Sequence, residues 1–257
     1  MVSVRVKGPK TWHTQENFCL GISLASRNHE GEALKAMVAW LNDNRYAPET
    51  GLGFKQGVVD FSNTLHRYNY EIEGLHSKMT RKQAIDRTME VSNAWFAQNA
   101  AILDQIAIPH QVIHWNQWLM DDRFIGYKKQ FDDAYKAGGP FQDAIREDIH
   151  RYLKRRFGAD TRLEDASSAV MELSVSFLLE ELAAHSILYE DFPCAVIYPG
   201  RQQKSFQMVR QGLVPHVPTG MQNSHHTRLV LHDIDTPANT ALVAPHSPRI
   251  RRAPVFG

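Results

Sequence analysis

Apolar residues fall into short continuous runs that alternate with longer stretches of helical spacing. Asn17 to Leu24 is a short apolar run closed by Ala25-Ser26-Arg27-Asn28, which predicts a buried strand ending in a polar turn. From Glu30 to Leu41 the pattern turns helical, with Leu34, Met37, Val38 and Leu41 gathered on one face. Lys55 to Asp60 predicts a second strand centred on Val58 and Val59, followed by a polar, Tyr- and His-rich stretch from Ser62 to His76. Thr80 opens a long helix reaching about Ile106, with Gln83 placed to complete a capping box. Pro109 stops it, and Gln111 to Trp115 predicts a third strand. Helices over Asp121–Lys136 and Phe141–Arg156 are separated by Gly138-Gly139-Pro140. Asp165 to His185 is the longest remaining helical pattern. Pro193 to Tyr198 is a fourth strand ending at Pro199-Gly200, Ser205 to Leu213 a helix and His226 to His232 a last strand.

Strands alternating with helices of this length predict one α/β domain with a mainly parallel sheet flanked by helices. Residues 1–236 form that domain in this reading, and residues 237–257, rich in Pro, Arg and Ala, read as a loose tail. The chain has 257 residues, 43% hydrophobic and 22% charged, enough to bury a core without staples. It contains no apolar run of membrane-spanning length, and Met1 to His13 lacks the apolar segment of a secretory signal. Cys19 and Cys194 lie inside apolar runs and read as buried thiols of a reducing compartment, so a cytoplasmic location is expected. A formal net charge of +1 gives no sign of a DNA-binding protein; any polyanion contact has to come from a local patch.

Ligands of an open parallel sheet sit beyond the carboxyl ends of its strands, which is where Ser23 falls. Gly21 lets another group approach the backbone closely. Ser23 is therefore a candidate nucleophile, though a serine in this place also serves simply as a turn residue or helix cap. Gly21-Ile22-Ser23-Leu24-Ala25 comes near the nucleophile elbow of hydrolases. However, that fold builds its oxyanion hole from earlier strands. In the Leu-rich helix, Glu180 and Glu181 point about 100° apart, so one can reach the sheet edge while the other faces elsewhere. Tyr198, fixed by Pro199, lies at the same carboxyl edge as Ser23.

Gly21-Ile22-Ser23, then Glu181 in a Leu-rich helix, then Tyr198-Pro199 after an apolar strand, resemble in order and spacing the cyclodipeptide synthases. Those enzymes condense two aminoacyl-tRNAs into a cyclic dipeptide (a 2,5-diketopiperazine). One subfamily carries Asn three residues after the serine and Tyr-His at the later strand. Ser26 and Tyr198-Pro199 make this chain similar to the other, the Tyr-Pro subfamily. The resemblance implies a single Rossmann-like domain, like the catalytic domain of class I tyrosyl- and tryptophanyl-tRNA synthetases, acting as a monomer without cofactor or metal. It implies Ser23 as the residue that carries the first aminoacyl group and then the dipeptide. Glu181 would hold the ammonium group and accept its proton. Tyr198 would position substrate and assist cyclisation.

The family usually has a tyrosine four residues before the glutamate, where this chain has Phe177. Tyr68 and Tyr70 are candidates to supply the missing hydroxyl, and Glu180 stays open as the alternative carboxylate. Gly21, Cys19, Val59, Ala184 and Val196, with Phe177 and Glu180, are the expected substrate-binding positions. Each except Gly21 also fits an ordinary core. Arg151, Lys154, Arg155 and Arg156 are the expected tRNA contacts, supplied by the densest basic run. The histidine pairs His225-His226 and His232-Asp233 lack metal-ligand spacing, and no metal is expected. Two other readings remain: a serine esterase using Ser23, and an aminoacyl-tRNA-binding protein without catalysis.

Overall fold

The structure, a computed structural model, describes residues 2–7, 11–24, 26–75 and 79–232. The expected tail, 237–257, lies outside the described residues. Among the described residues six strands and eight helices, joined by short 3-10 turns, follow in the order β1 (Ser3–Lys7), β2 (Asn17–Ile22), α1 (Gly31–Asp43), β3 (Gln56–Phe61), α2 (Arg67–Gly74), α3 (Arg81–Leu103), β4 (His110–His114), α4 (Trp115–Leu119), α5 (Phe124–Lys136), α6 (Pro140–Phe157), α7 (Ser168–Asp191), β5 (Cys194–Tyr198), α8 (Lys204–Arg210) and β6 (Ser224–His232). The strands form one sheet in the order β1-β6-β5-β2-β3-β4. All neighbours are parallel except β1, which runs antiparallel on β6 at the edge.

Helices cover both faces. On one, Phe18, Leu20 and Ile22 of β2, Val59 and Phe61 of β3, and Ala195 and Ile197 of β5 pack against Leu34, Met37 and Val38 of α1 and Trp95 and Ile102 of α3. On the other, Cys19, Val58, Cys194 and Val196 pack beneath α4 to α8. Strands buried on both faces read as continuous apolar runs, which is why their sequences show little alternation. No helix among the described residues is long and apolar enough to cross a membrane.

Local signals set the boundaries. The Thr80 hydroxyl accepts from the Gln83 N–H at 3.2 Å, and the Gln83 side chain accepts from the Thr80 N–H at 2.8 Å, closing the capping box of α3. Gly138 and Gly139 take φ of +81° and +75°, where side chains are strained, and Pro140 opens α6. Three elements go beyond the pattern reading. β1 is a short edge strand, α2 forms within the polar Ser62–His76 stretch, and the five-residue α4 follows β4 directly.

After β2 the chain steps outward through β3 and β4, then returns to lay β5 against the other side of β2. The carboxyl ends of β2 and β5 are thus a topological switch point, where a crevice opens between diverging connections. Ser23 leaves β2 and Tyr198 ends β5 at this point.

Candidate active site

A cleft of about 580 Å³ opens at the switch point, and Gly21, Ser23, Phe177, Glu181, Val196 and Tyr198 all line it. Ser23 sits just past β2 and is held from two sides. Its backbone N–H donates to His29 Nδ1 at 2.8 Å, while its Oγ lies 3.2 Å from His66 Nε2. The Tyr198 phenol stands beside it, near enough for the serine to offset part of the rise in the phenol's pKa. Burial holds both histidines down to about 4, so both rings are neutral at physiological pH. Ser26, three residues on, caps the following turn by accepting from the Asn28 N–H at 3.3 Å.

Tyr198 lies across the end of β2. A Cβ on Gly21 would come to 3.4 Å from Tyr198 Cδ2, an ordinary contact, whereas one on Gly200 would meet Cε1 at 2.4 Å. Glycine at 200 is therefore what lets the ring lie flat over the strand exit. The ring meets His29 edge-on at 5.1 Å between centroids. Burial first, and then the Glu181 charge, push the Tyr198 hydroxyl up to about 12, so it remains a phenol.

The two adjacent glutamates have separate fates. Glu180 is 3% exposed and bound in full. Arg67 grips it bidentately at 2.8 and 2.5 Å, Tyr68 OH donates at 2.9 Å, and Trp115 Nε1 donates at 3.1 Å. Its carboxylate ties α2 and α4 to α7 and does not line the cleft. Glu181, rotated by about 100°, lines it. Among the described residues no cation pairs with it, and Oε2 is buried without a hydrogen-bond partner. Burial is the main reason its carboxyl is raised to about 7; His185 and the Gln203 bond pull it back in part, and Asp60 adds to the rise. Tyr68 stands edge-on to Phe177 at 6.1 Å, but its hydroxyl is engaged with Glu180 rather than Glu181.

Of the other expected lining positions, Val59 faces the opposite layer. Strand parity puts Val58 and Asp60 on the cleft side and Val59 under α1 and α3. Cys19 and Ala184 are on the cleft side of the sheet but buried in the core behind its wall. Both cysteines are buried free thiols. Arg151, Arg155 and Arg156 line the cleft, together with Arg201, while Lys154 is exposed and does not line it. Arg156 pairs with Glu73, and Arg151 pairs with Glu147 and lies 3.7 Å from Asp148.

Several cleft residues had no sequence signal. His66 and Asn69 come from the 3-10 turn before α2 and from α2 itself. Asp60, 2% exposed, accepts from Trp118 Nε1 at 3.2 Å and meets His185 Nε2 at 3.0 Å. Arg210 and His226 close the β6 side. Among the described residues no group of three or more His, Cys, Asp or Glu side chains is arranged to hold a metal ion.

No protein-family profile matches the chain, and no curated protein matches it significantly. Solved structures do match along most of it. A CDPS (cyclodipeptide synthase) from Fluoribacter dumoffii superposes with a TM-score of 0.72 at 19% identity, covering 90% of this chain and 98% of that one. A cyclodipeptide synthase from Candidatus Glomeribacter gigasporarum, bound to Phe-tRNAPhe, gives 0.65 at 18% identity over 90% and 93%. A Mycobacterium tuberculosis protein, described as showing that cyclodipeptide synthetases are related to type I tRNA synthetases, gives 0.62 at 11% over 89% and 93%. The chain shares their fold.

Proposed function

We propose that this chain is a tRNA-dependent cyclodipeptide synthase of the Tyr-Pro kind, with Ser23 as its nucleophile. The observation that carries the reading is the convergence of Ser23, Tyr198 and Glu181 on one cleft at the switch point. That fold is shared with solved cyclodipeptide synthases over nine-tenths of the chain.

An aminoacyl-tRNA ester is already activated, so the protein has to position groups and move protons. Ser23 Oγ attacks the ester carbonyl of the first aminoacyl-tRNA and releases the ribose hydroxyl, leaving an aminoacyl ester on Ser23. Glu181, with no cation of its own, receives the ammonium group of that aminoacyl moiety and is placed to take its proton. The amine of a second aminoacyl-tRNA attacks the Ser23 ester and forms a dipeptide still attached to its tRNA. Ser23 Oγ then attacks the ester of that dipeptidyl-tRNA, the bond to the ribose oxygen breaks, the second tRNA leaves with its hydroxyl restored, and the dipeptide is held as an ester on Ser23. The free amine closes on that ester, the diketopiperazine leaves, and Tyr198 relays the proton back to Ser23. The tRNA approaches from the side of Arg151, Arg155 and Arg156, whose guanidinium groups suit phosphates.

Mass spectrometry of medium from a bacterial culture expressing the chain, beside a Ser23→Ala culture, tests this. A new cyclic dipeptide made only with the intact serine is expected. Equal product from Ser23→Ala would overturn the nucleophile, and no product from folded wild-type protein would overturn the synthase reading. The contact between Ser23 and His66 favours a second reading, an ester hydrolase. It predicts turnover of a simple ester without tRNA.

A further inference from the structure

The Ser23 hydroxyl must lose its proton as its oxygen attacks, and two side chains are within reach of it. Tyr198, held as a phenol, is a poor acceptor. The other is His66, 5% exposed, whose Nε2 lies 3.2 Å from the serine oxygen. We infer that His66 is the general base that activates Ser23, with Asn69 and Tyr152 as positioning residues that fix its tautomer. The inference rests on the synthase reading above.

The hydrogen-bond network settles where the ring proton sits. His66 Nε2 lies 3.2 Å from Ser23 Oγ and 3.2 Å from the Leu24 backbone nitrogen. A backbone N–H can only donate, so Nε2 carries its lone pair and the proton is on Nδ1. Nδ1 lies 2.9 Å from the Asn69 amide, whose other end is 2.8 Å from the Tyr152 hydroxyl. The Nδ1 proton needs an acceptor, so the amide turns its oxygen to His66 and its nitrogen to the Tyr152 oxygen, an orientation assigned from the network. The single lone pair at Nε2 is shared between the Leu24 N–H and the serine hydroxyl, which lies at the outer limit of the range for proton abstraction.

The other charged and titratable groups around the ring agree with a neutral base. Burial is the main reason His66 is held at about 4; the neighbouring His29 ring, were both to be protonated, and the Arg156 cation further disfavour its charged form, and Tyr152 is kept a phenol by its own burial. In the acylation step the Ser23 O–H proton passes to Nε2 as Oγ forms a bond to the ester carbonyl carbon. The tetrahedral intermediate collapses, the bond to the ribose oxygen breaks, and the proton on Nε2 goes to that oxygen. His66 ends neutral, and no further reactant is consumed.

The test is single-turnover labelling of the full chain by radiolabelled aminoacyl-tRNA carrying the amino acid found in the wild-type product. His66→Gln keeps an acceptor for the Leu24 N–H but takes no proton at neutral pH. His66→Ala opens room for added imidazole. Both are expected to lower the acylation rate constant by about 10²–10⁴-fold without changing aminoacyl-tRNA affinity. Imidazole is expected to restore His66→Ala in proportion to its concentration, with a pH dependence set by the pKa of the added imidazole. A purely structural histidine would not be replaced in that way. Acylation by His66→Gln within threefold of wild type, or a His66→Ala loss that imidazole leaves unchanged, overturns the assignment. Wild-type protein that is labelled by none of the aminoacyl-tRNAs overturns the synthase reading, and this inference with it.

Discussion

Glu181→Gln separates what this carboxyl does for folding from what it does for chemistry. Burial raises Glu181 from 4.5 to about 7 in the folded protein, while in the unfolded chain it keeps the ordinary value. The folded state therefore holds the proton more tightly. Its contribution is most favourable below pH 4.5, is lost as pH rises from 4.5 to about 7, and is fully absent above that. At about 1.36 kcal/mol per pKa unit, that gap corresponds to at most roughly 3 kcal/mol of destabilisation at pH 8. The residue lines an open cleft, so water reduces the figure, and about 1–3 kcal/mol is the expected range. Glutamine has no charge to desolvate. Glu181→Gln is predicted to be more stable than wild type at pH 8 by that amount, with the difference shrinking towards pH 4.5. Urea midpoints at both pH values measure it. A wild type more stable at pH 8, or a difference independent of pH, would refute the burial argument. In the proposed mechanism the same variant loses the charge that meets the substrate ammonium. Product formation should fall at least a hundredfold, and wild-type kcat/KM should be about tenfold lower at pH 6 than at pH 8, because that ratio reports the free enzyme.

Glu180→Gln should move stability the other way. It leaves Arg67, 3% exposed, without its carboxylate, and a loss of about 3–5 kcal/mol, read as a thermal midpoint lower by roughly 10 °C, is expected. Arg151→Ala and Arg155→Ala should each weaken aminoacyl-tRNA binding and flatten the slope of log affinity against log salt by about 0.7–0.9, measured by filter binding. Gly21→Ala, with its Cβ at 3.4 Å from Tyr198, should keep most activity, whereas Gly21→Val should displace the ring and lower cyclic dipeptide yield at least tenfold.

The parallel strands and long helices were legible because each is a contiguous signal: an apolar run, a capping box, a glycine pair. The edge strand β1 was not, since two valines between polar residues bury little and look like any exposed segment. Sequence located Ser23 and Tyr198 at strand ends but could not show that β5 returns beside β2, which is what brings them together. Val58 and Val59 look alike in a strand buried on both faces. The distinguishing mark was Asp60, a carboxylate inside an apolar run, whose parity assigns Val58 and not Val59 to the cleft side. His66 escaped notice for a different reason. Its partner is 43 residues away, and no local spacing rule connects a turn before α2 to the end of β2. Helical geometry alone told Glu180 from Glu181 only as a difference of direction; the buried Arg67 assigns the roles.

Charge is sorted across this site in a way that fits its proposed chemistry. Each titratable group bordering Ser23 is held in its neutral form: His29 and His66 are lowered to about 4, and Tyr198 is raised to about 12. Glu181, deeper in the same cleft, is raised to about 7 and so stands at the balance between acid and carboxylate. The cations Arg151, Arg155 and Arg156 line the same cleft; Arg151 and Arg156 are paired with Glu147 and Glu73, and Arg155 is exposed. Glu180, one position from Glu181, shows that the fold can neutralise a buried carboxylate when it supplies an arginine. Leaving Glu181 without one costs stability. It is explained if the missing counter-charge arrives with the substrate, as the ammonium of an aminoacyl group. The raised carboxyl would then ionise on binding, and folding stability lost at this residue would reappear as substrate affinity.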